Sequence, residues 1–269
     1  MTNLLEVSGL TRKFAGLVAV DNLDMQVAAG GIHAVIGPNG AGKTTLFNLI
    51  SGLLPPTSGR IILAGQDVTR LPAHRRAALG VARTFQNIRI FGAMTVLENV
   101  LTGLHTTARA TLPEVIFRLP RFRRQERDAV AQAMAALDLV GLRDQANSRA
   151  ASLSYGDARR LEIARAMAAR PRLLLLDEPA AGLNPAETTR LADLVRTIRS
   201  AGTTVLLVEH DMGFVMDISE DVTVLSFGRR IFGGPPLAVR QDPAVIEAYL
   251  GHKVAAKLAA GATTGVRGA

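Results

Sequence analysis

The glycine-rich stretch GPNGAGKTT, which begins at residue 37, limits the possible folds of this chain more than any other feature. It matches the phosphate-binding pattern G-x-x-x-x-G-K-[ST] in full. The segment before it, GIHAVIG, is apolar and ends in glycine, which is typical of a buried parallel strand, and KTTLFNLISGLL after it predicts a helix. A strand, a phosphate loop and a helix in this order predict an α/β fold that binds a nucleotide.

The residues of this loop have separate expected tasks. Backbone amides and the start of the helix provide positive charge for phosphates. We expect Lys43 to reach the β- and γ-phosphates and the Thr44 hydroxyl to bind Mg²⁺. The candidate phosphate-binding residues are Gly37, Pro38, Asn39, Gly40, Ala41, Gly42, Lys43, Thr44 and Thr45.

Further strands are predicted on both sides of a helical region. NLDMQVA and GRIILAGQDV, residues 22–28 and 59–68, each read as one strand, and DVTVLSFGRRIFGG reads as a hairpin that turns near Gly228. The apolar runs RLLLLDEP and TTVLLVEHD predict central parallel strands. Between these groups, residues 87–152 show helical spacing of apolar residues, so a helical subdomain is inserted into an α/β frame.

Composition narrows the class of protein. The 269 residues include no cysteine, so neither a disulfide framework nor thiolate chemistry is available. No apolar run approaches the roughly 18 residues of a membrane span. The net charge is +8, with a dense basic stretch at residues 118–127 that is either a solvated helix face or a contact for protein or lipid. We expect the Ala/Gly-rich tail, residues 252–269, to be flexible.

Polar residues cluster where the predicted central strands end. Asp177 and Glu178 follow one apolar run, at the sheet edge where α/β proteins bind ligands. Neighbouring strand residues point to opposite faces, so Asp177 can hold Mg²⁺ through water while Glu178 polarises an attacking water. His210 follows the other run and is either a phosphate donor or a structural partner of its acidic neighbours. Gln86 lies where the frame passes into the helical insert, where it can contact Mg²⁺ or the attacking water.

The stretch LSYGD predicts a second helix start, far along the chain from the phosphate loop. Ser154 and Asp157 have the spacing of a capping box. A capped helix start still leaves first-turn amides free to bind an anion. Because the chain's own phosphate loop serves its own nucleotide, this second site needs a different anion.

The phosphate loop, TFQN, LSYGD, LLLLDEP and VEHD occur in the order that resembles the ATP-binding subunits of ABC transporters, over about residues 4–250. The resemblance implies an ABC-type ATPase fold at residues 4–251, with a RecA-like mixed-sheet core and an N-terminal antiparallel β subdomain. The core would comprise residues 1–87 and 156–251, and the α-helical subdomain residues 88–155.

The same resemblance implies residue roles in a dimer that holds each ATP between two chains. Ser154 and Gly156 would face the γ-phosphate of the partner's ATP, and AGLNPAE, residues 181–187, would cross the interface. Gln86 would be the Q-loop residue, Glu178 the catalytic base and His210 the switch histidine. ATP and Mg²⁺ are the implied cofactors.

Several stretches, among them ARTFQNIRIFGAMTVLENV and VIEAYLG, resemble the ATP-binding subunits of branched-chain amino-acid importers. That branch implies an ATPase that powers the import of branched-chain or other hydrophobic amino acids and is held peripherally on the cytoplasmic face of the inner membrane. Its implied partners are a second ATPase subunit, identical or a sister, two membrane permease subunits and a periplasmic solute-binding protein, with no nucleic acid.

Some residues depart from the family pattern. Tyr155 and Asp157 replace the third and fifth residues of the common signature Leu-Ser-Gly-Gly-Gln, and Asn184 stands where many members have Asp. Asn184 can still cap the next helix, with Pro185 first in it. Phe14 is the candidate adenine platform or, equally, a core residue.

Two other functions compete with amino-acid import. The basic charge permits a soluble or non-import ABC ATPase that acts on nucleic acid, ribosomes or lipid export. A P-loop kinase lacks an evident acceptor site, and the signature helix would have no task in it.

Overall fold

A six-stranded sheet forms the centre of the computed structural model, which describes residues 2–104 and 120–250. Its strand order is β10-β9-β3-β8-β7-β6, and all neighbours are parallel except β9 and β10. The strands are β3 (Ile32–Ile36), β6 (Val81–Arg83), β7 (Leu173–Asp177), β8 (Thr204–Val208), β9 (Asp221–Ser226) and β10 (Arg229–Gly234). The three apolar runs that predicted central strands are confirmed, as is the hairpin with its turn at Phe227 and Gly228.

A second, antiparallel sheet has the order β2-β1-β4-β5. It comprises β1 (Asn3–Phe14), β2 (Leu17–Ala28), β4 (Ser58–Leu63) and β5 (Gln66–Asp67). The single strand predicted over residues 59–68 is wrong, because the chain turns at Ala64 and Gly65, both with positive φ, and pairs β4 with β5. The predicted N-terminal antiparallel sheet itself is confirmed.

Helices cover both faces of the central sheet. They are α1 (Lys43–Ser51), α2 (Ala73–Ala78), α3 (Val96–Thr102), α4 (Pro120–Leu139), α5 (Tyr155–Met167), α6 (Pro185–Ser200), α7 (Met212–Ile218), α8 (Pro236–Val239) and α9 (Pro243–Leu250). Two short 3₁₀ turns, Arg143–Gln145 and Ala150–Ser152, lead into α5.

Strand β3 shows how the sheet is buried on both faces. Ile32, Ala34 and Ile36 belong to one apolar cluster, which they share with the helices α3 to α7. Val35, which points to the opposite face, belongs to a second cluster with α1 and the antiparallel sheet. A strand with no solvated face reads as a continuous apolar run, which explains why the sequence pattern identified it.

The predicted helical insert is confirmed as helical in the part that the structure describes. Helices α3 and α4 of the insert pack on each other and on α5, which the predicted limits assign to the core, around buried side chains that include Val100, Leu137 and Leu161. The domain limits at residues 87/88 and 155/156 stay predictions. The first two residues of the basic stretch and the tail at 252–269 lie outside the described residues. Within residues 2–104 and 120–250, no helix has both the length and the apolarity to cross a membrane.

Candidate functional site

The carboxyl ends of the parallel strands meet at one edge of the central sheet. The phosphate loop follows β3, Asp177 ends β7 and Glu178 follows it, and His210 comes two residues after β8. Gln86 lies three residues beyond the end of β6. The topology therefore places the phosphate loop and these four side chains at one edge of the sheet.

The phosphate loop packs tightly against the β2 strand. Gly42, which precedes α1, has φ +100, and a Cβ there would stand 2.4 Å from the Ala19 carbonyl oxygen. The turn of the β9–β10 hairpin supports the loop from another side, since the Gly228 amide donates to the Ala41 carbonyl over 3.0 Å. The loop conformation is therefore set by neighbouring backbone, which the local sequence does not reveal.

Lys43 lies folded into this loop. Its Nζ donates to the Gly37 carbonyl at 2.6 Å and to the Pro38 carbonyl at 3.0 Å. Burial lowers the pKa of the Lys43 ammonium, and the nearby Glu178 and Asp177 carboxylates oppose that shift. Thr44 follows in the first turn of α1 and is exposed, so its hydroxyl is accessible at the mouth of the loop.

Asp177 is buried and is held by a residue that the sequence pattern did not single out. Arg83, at the end of β6, donates from Nη2 to Asp177 Oδ2 at 2.8 Å. Its Nη1 also donates to Asn48 Oδ1 and Ser51 Oγ on α1. The guanidinium thus ties the acidic strand end to the helix that follows the phosphate loop.

Glu178, Gln86 and His210 come together. The Gln86 side-chain amide donates to Glu178 Oε2 at 2.9 Å, and His210 Nδ1 lies 3.8 Å from the same oxygen. Glu178 has φ +47, a conformation that non-glycine residues seldom adopt, and its amide donates to the Val208 carbonyl at 2.9 Å. Strained backbone of this kind is concentrated at functional sites.

Glu209 is one of the acidic neighbours expected as a structural partner of His210, and its Oε2 lies 3.7 Å from His210 Nδ1, but its backbone contacts were missed. It is fully buried, and its Oε1 accepts from the Ala180 amide at 2.7 Å while Oε2 accepts from the His210 amide at 3.0 Å. Burial raises the pKa of this carboxyl, and the backbone hydrogen bonds oppose the shift. Glu209 therefore links the segment after Glu178 to the segment that carries His210. An acidic residue directly after an apolar strand was the only available signal.

The LSYGD stretch starts helix α5, as predicted. Ser154 Oγ accepts from the Asp157 amide at 3.1 Å, so the cap is confirmed. The other contact of a capping box, in which the Asp157 carboxylate would accept from the Ser154 amide, is a wrong prediction. The Asp157 carboxylate instead pairs with Arg160, one turn along the helix. The negative charge of Asp157 is therefore compensated within its own helix.

Tyr155 turns away from the helix start toward the segment after Glu178. Its hydroxyl donates to the Ala181 carbonyl at 3.2 Å, and its ring lies against Gly182. The added bulk at this position consequently packs on a neighbouring loop. A Cβ at Gly156 would stand 2.7 Å from Glu187 Oε1, so a larger residue there would displace the Glu187 carboxylate that caps α6.

A cavity of about 200 Å³ opens at the start of α5. Its lining includes Ser154, Gly156, Leu183 and Glu187, and none of its lining residues belongs to the phosphate loop. Asn184 and Glu187 form a complete capping box at the start of α6, with Pro185 first in the helix, as predicted. The two helix starts and the loop between them form one surface.

Phe14 lies at the end of β1, beside the turn into β2, and is 38% exposed. The Arg12 guanidinium stacks on its ring at 4.5 Å from the centroid. The alternative that Phe14 is a core residue is therefore wrong. Its contact with adenine stays a prediction.

Comparison with known proteins identifies the family. The family model described as ABC transporter matches residues 20–181, and the model described as branched-chain amino acid ATP-binding cassette transporter matches residues 229–255. The predicted resemblance is confirmed by these matches.

Two relatives align over most of the chain. The high-affinity branched-chain amino acid transport ATP-binding protein BraF of Pseudomonas aeruginosa is 49% identical over 250 residues, 93% of this chain and 98% of BraF. The protein of the same description from Escherichia coli K12, LivG, is 46% identical over 250 residues, with the same coverage. The structure of the ADP conformation of MJ1267, an ATP-binding cassette of an ABC transporter, superimposes with a TM-score of 0.82 at 29% identity, covering 94% of this chain and all of MJ1267. The chain therefore belongs to the ABC transporter family, as one of its ATP-binding proteins, and stands with the branched-chain amino acid transport ATP-binding proteins within it.

Proposed function

We propose that this chain hydrolyses ATP to power the import of branched-chain amino acids. The observation that carries the hydrolytic assignment is the convergence of Gln86, Glu178 and His210 at the sheet edge that bears the phosphate loop. The solute is assigned from the relatives BraF and LivG, whose descriptions name branched-chain amino acid transport.

Glu178 is the proposed general base. Its carboxylate accepts the Gln86 amide on Oε2 and retains further lone pairs for a proton from water. The same Gln86 contact orients the carboxylate, and His210 adds a donor at the mouth of the site. Lys43 supplies positive charge for the phosphates once its Nζ leaves the loop carbonyls that it now contacts.

The donor set fits Mg²⁺. Thr44, Asp177 and Gln86 provide a hydroxyl, a carboxylate and an amide oxygen, and Mg²⁺ takes oxygen ligands, usually from one or two protein groups plus phosphates and water. We propose that these residues hold the ion, with Arg83 fixing the orientation of the Asp177 carboxylate. Bound Mg²⁺ would neutralise phosphate charge.

The second half of each ATP site is proposed to come from another ATPase subunit. Ser154 and Gly156 stand at a helix start beside a cavity that their own phosphate loop does not line. First-turn amides of α5 favour an anion. The γ-phosphate of an ATP bound to the partner's phosphate loop would be an anion that is suited to this helix start.

A groove beside Gln86 is the proposed docking site for a membrane permease subunit. Its lining includes Phe85, Arg89, Phe91 and Arg165, and Phe91 is 52% exposed. Exposed aromatic side chains flanked by arginine are typical of protein interfaces. Two permease subunits and a periplasmic solute-binding protein would complete the importer, with this chain held peripherally at the cytoplasmic face of the inner membrane.

Reconstitution tests the proposed function. The chain, its permease subunits and the solute-binding protein are placed in proteoliposomes, and ATP-driven uptake of leucine, isoleucine and valine is measured. We expect uptake that requires Glu178. ATP hydrolysis stimulated by nucleic acid or by lipid, without amino-acid uptake, would instead support the alternative ATPase class.

A further inference from the structure

Three charged side chains of α5 share one face of the helix. Arg159, Glu162 and Arg165 are spaced three residues apart, and we call them the charged row. Arg159 and Glu162 each have 1% of their side-chain surface exposed, and Arg165 has 18%. Arg159 Nη1 donates to Glu162 Oε2 at 3.1 Å. Residues of this kind are seldom buried unless they are paired and hydrogen-bonded.

The charged row holds the backbone of residues 85–89, the segment that carries Gln86. Arg159 donates from Nη1 to the Phe85 carbonyl at 2.8 Å and from Nη2 to the Gln86 carbonyl at 2.9 Å. Glu162 Oε1 accepts from the Phe85 amide at 3.4 Å, and Arg165 donates to the Arg89 carbonyl. One face of α5 therefore forms hydrogen bonds with residues 85–89 at both ends of that segment.

The same guanidinium also reaches the catalytic glutamate. Arg159 Nη2 lies 3.5 Å from the Glu178 carbonyl oxygen, at the strained residue with positive φ. The Arg159 guanidinium thus contacts the backbone carbonyls of both Gln86 and Glu178. The side chains of these two residues also contact each other. A flat fork with five donors can bond two carbonyls in a fixed relative position, which a lysine ammonium on a flexible stem does not reproduce.

Helix α5 begins at the other functional surface. Ser154 caps it, and Arg159 follows five residues later, so little more than one helical turn separates them. Both residues belong to one uninterrupted helix, Tyr155–Met167, in which each turn is hydrogen-bonded to the next. A displacement of the helix start must therefore displace the charged row and the segment that the row holds.

We propose that Arg159, with Glu162 and Arg165, is a positioning device that transmits closure on the partner's ATP to Gln86 and Glu178 of the chain's own site. The inference rests on the proposed function, because it requires that Ser154 faces a nucleotide of another subunit. The charged row makes each active site respond to occupancy of the opposite one. Arg159 lies at the wall of the cavity at the start of α5, but its guanidinium is directed to the carbonyls of residues 85, 86 and 178.

A single fluorescent label tests the proposal. The chain has no cysteine, so Asn87→Cys, at an exposed position beside Gln86, provides one labelling site. The labelled subunit also carries Lys43→Ala, so that it binds no ATP of its own. Its unlabelled partner carries Glu178→Gln and binds ATP without turnover. That partner is a second copy or, in an importer with two different ATPases, the sister subunit.

The matched variants are Arg159→Lys and Arg160→Lys, introduced in the labelled subunit. Both keep the charge on the same helix and both side chains line the cavity at the start of α5, but Arg160 bonds the Val140 carbonyl and Asp157 instead of residues 85–89. In dimers isolated by size exclusion, ATP should shift the label signal with Arg160→Lys and fail to shift it with Arg159→Lys. In otherwise native chains, Arg159→Lys should lower kcat about tenfold at unchanged ATP affinity, the effect of losing one charge-assisted hydrogen bond.

Three results would contradict the account in distinguishable ways. An equal label shift in both variants overturns the role of Arg159. Equal loss of kcat in both variants overturns it as well, because the effect would then belong to the helix and not to its contact with residues 85–89. If ATP assembles no dimer of chains that carry only Glu178→Gln, with the sister subunit present where the importer has one, the proposed shared site is wrong, and the inference fails with it.

Discussion

The side-chain amide of Gln86 donates a hydrogen bond to the carboxylate of Glu178, with 2.9 Å between Nε2 and Oε2. The two residues are 92 positions apart in the sequence and reach each other from the ends of β6 and β7. A residue at the entry to the helical subdomain therefore touches the proposed base directly. Movement of that subdomain would move the group that orients the base.

Glu178→Gln should retain ATP binding and reduce hydrolysis by about 10²–10⁴-fold, the usual contribution of a positioned general base. The amide is nearly isosteric but cannot accept a proton from water. Equilibrium binding of a fluorescent ATP analogue and steady-state phosphate release measure the two effects. Glu187→Gln, at the start of α6, shows what loss of a carboxylate near the cavity does by itself. Near-normal turnover in Glu178→Gln would remove Glu178 as the base.

Ser154→Arg should leave ATP binding by the single chain intact and prevent closure of the dimer. The longer, charged side chain fills the cavity at the start of α5, and loss of the cap costs about 1 kcal/mol of folding stability. Size exclusion with ATP in the Glu178→Gln background measures closure. Ser154→Thr keeps a capping hydroxyl and is the control. Normal dimer formation by Ser154→Arg would show that this helix start does not face a partner's nucleotide.

Glu209→Gln should lower kcat and destabilise the chain by about 1–3 kcal/mol. Both carboxylate oxygens accept backbone amides, from Ala180 on one side and His210 on the other, whereas a glutamine offers a single acceptor oxygen. Chemical denaturation and steady-state kinetics report the two changes. Glu220→Gln, at a half-exposed site that pairs with Arg199, should change neither. Unchanged stability of Glu209→Gln would mean that the buried amides find other partners.

The burial of His33 predicts that the folded chain loses stability in acid. Its imidazole is buried, with Nε2 hydrogen-bonded to Thr223 Oγ1 at 2.9 Å. Burial lowers the pKa of His33 from 6.5 to about 4, although the Asp221 carboxylate, whose Oδ2 lies 3.4 Å from Nδ1, opposes the shift. Between these two values the unfolded chain binds the proton and the folded chain does not. Stability from this group is therefore present above pH 6.5 and is lost as the pH falls toward 4.

Protonation of His33 should lower the free energy of unfolding by about 3 kcal/mol between pH 7 and pH 4. Urea unfolding across this range measures it. His33→Gln removes the titrating group and should flatten that part of the acid dependence, even where it lowers stability at pH 7. An unchanged slope in His33→Gln would assign the acid sensitivity to other groups.

The parts of the fold that the sequence predicted are those with a strong local pattern. Buried parallel strands leave no solvated face, so β3, β7 and β8 appear as uninterrupted apolar runs. The β4–β5 hairpin was missed because β5 is only two residues long and exposed, so no strand-like run follows the turn at Ala64 and Gly65. The turn at Phe227 and Gly228 was found because its glycine separates two runs that are each six residues long as strands.

Contacts between distant segments explain what was missed at the site. The Arg83 pair with Asp177 joins residues 94 positions apart, and the Glu209 contact to Ala180 spans 29. Neither has a local pattern, since each depends on the order of strands in the sheet. Asp157 illustrates the opposite error. Its spacing from Ser154 fits a capping box, but Arg160 lies on the same helix face and offers a cationic partner.

The central claim is that two chains share each ATP, and mixing two inactive variants tests it most directly. Lys43→Ala disables the phosphate loop of one chain, and Ser154→Arg disables the signature of the other, so each variant alone should hydrolyse almost no ATP. In a mixed dimer both lesions fall on the same site, and the other site combines an intact phosphate loop with an intact signature. We predict that ATPase activity returns in part on mixing, from that one intact site in each mixed dimer, because the opposite site is empty and gives no closure signal through the charged row. Mixed dimers that form on size exclusion but stay as inactive as the separate variants, or full activity of Ser154→Arg alone, would contradict the account.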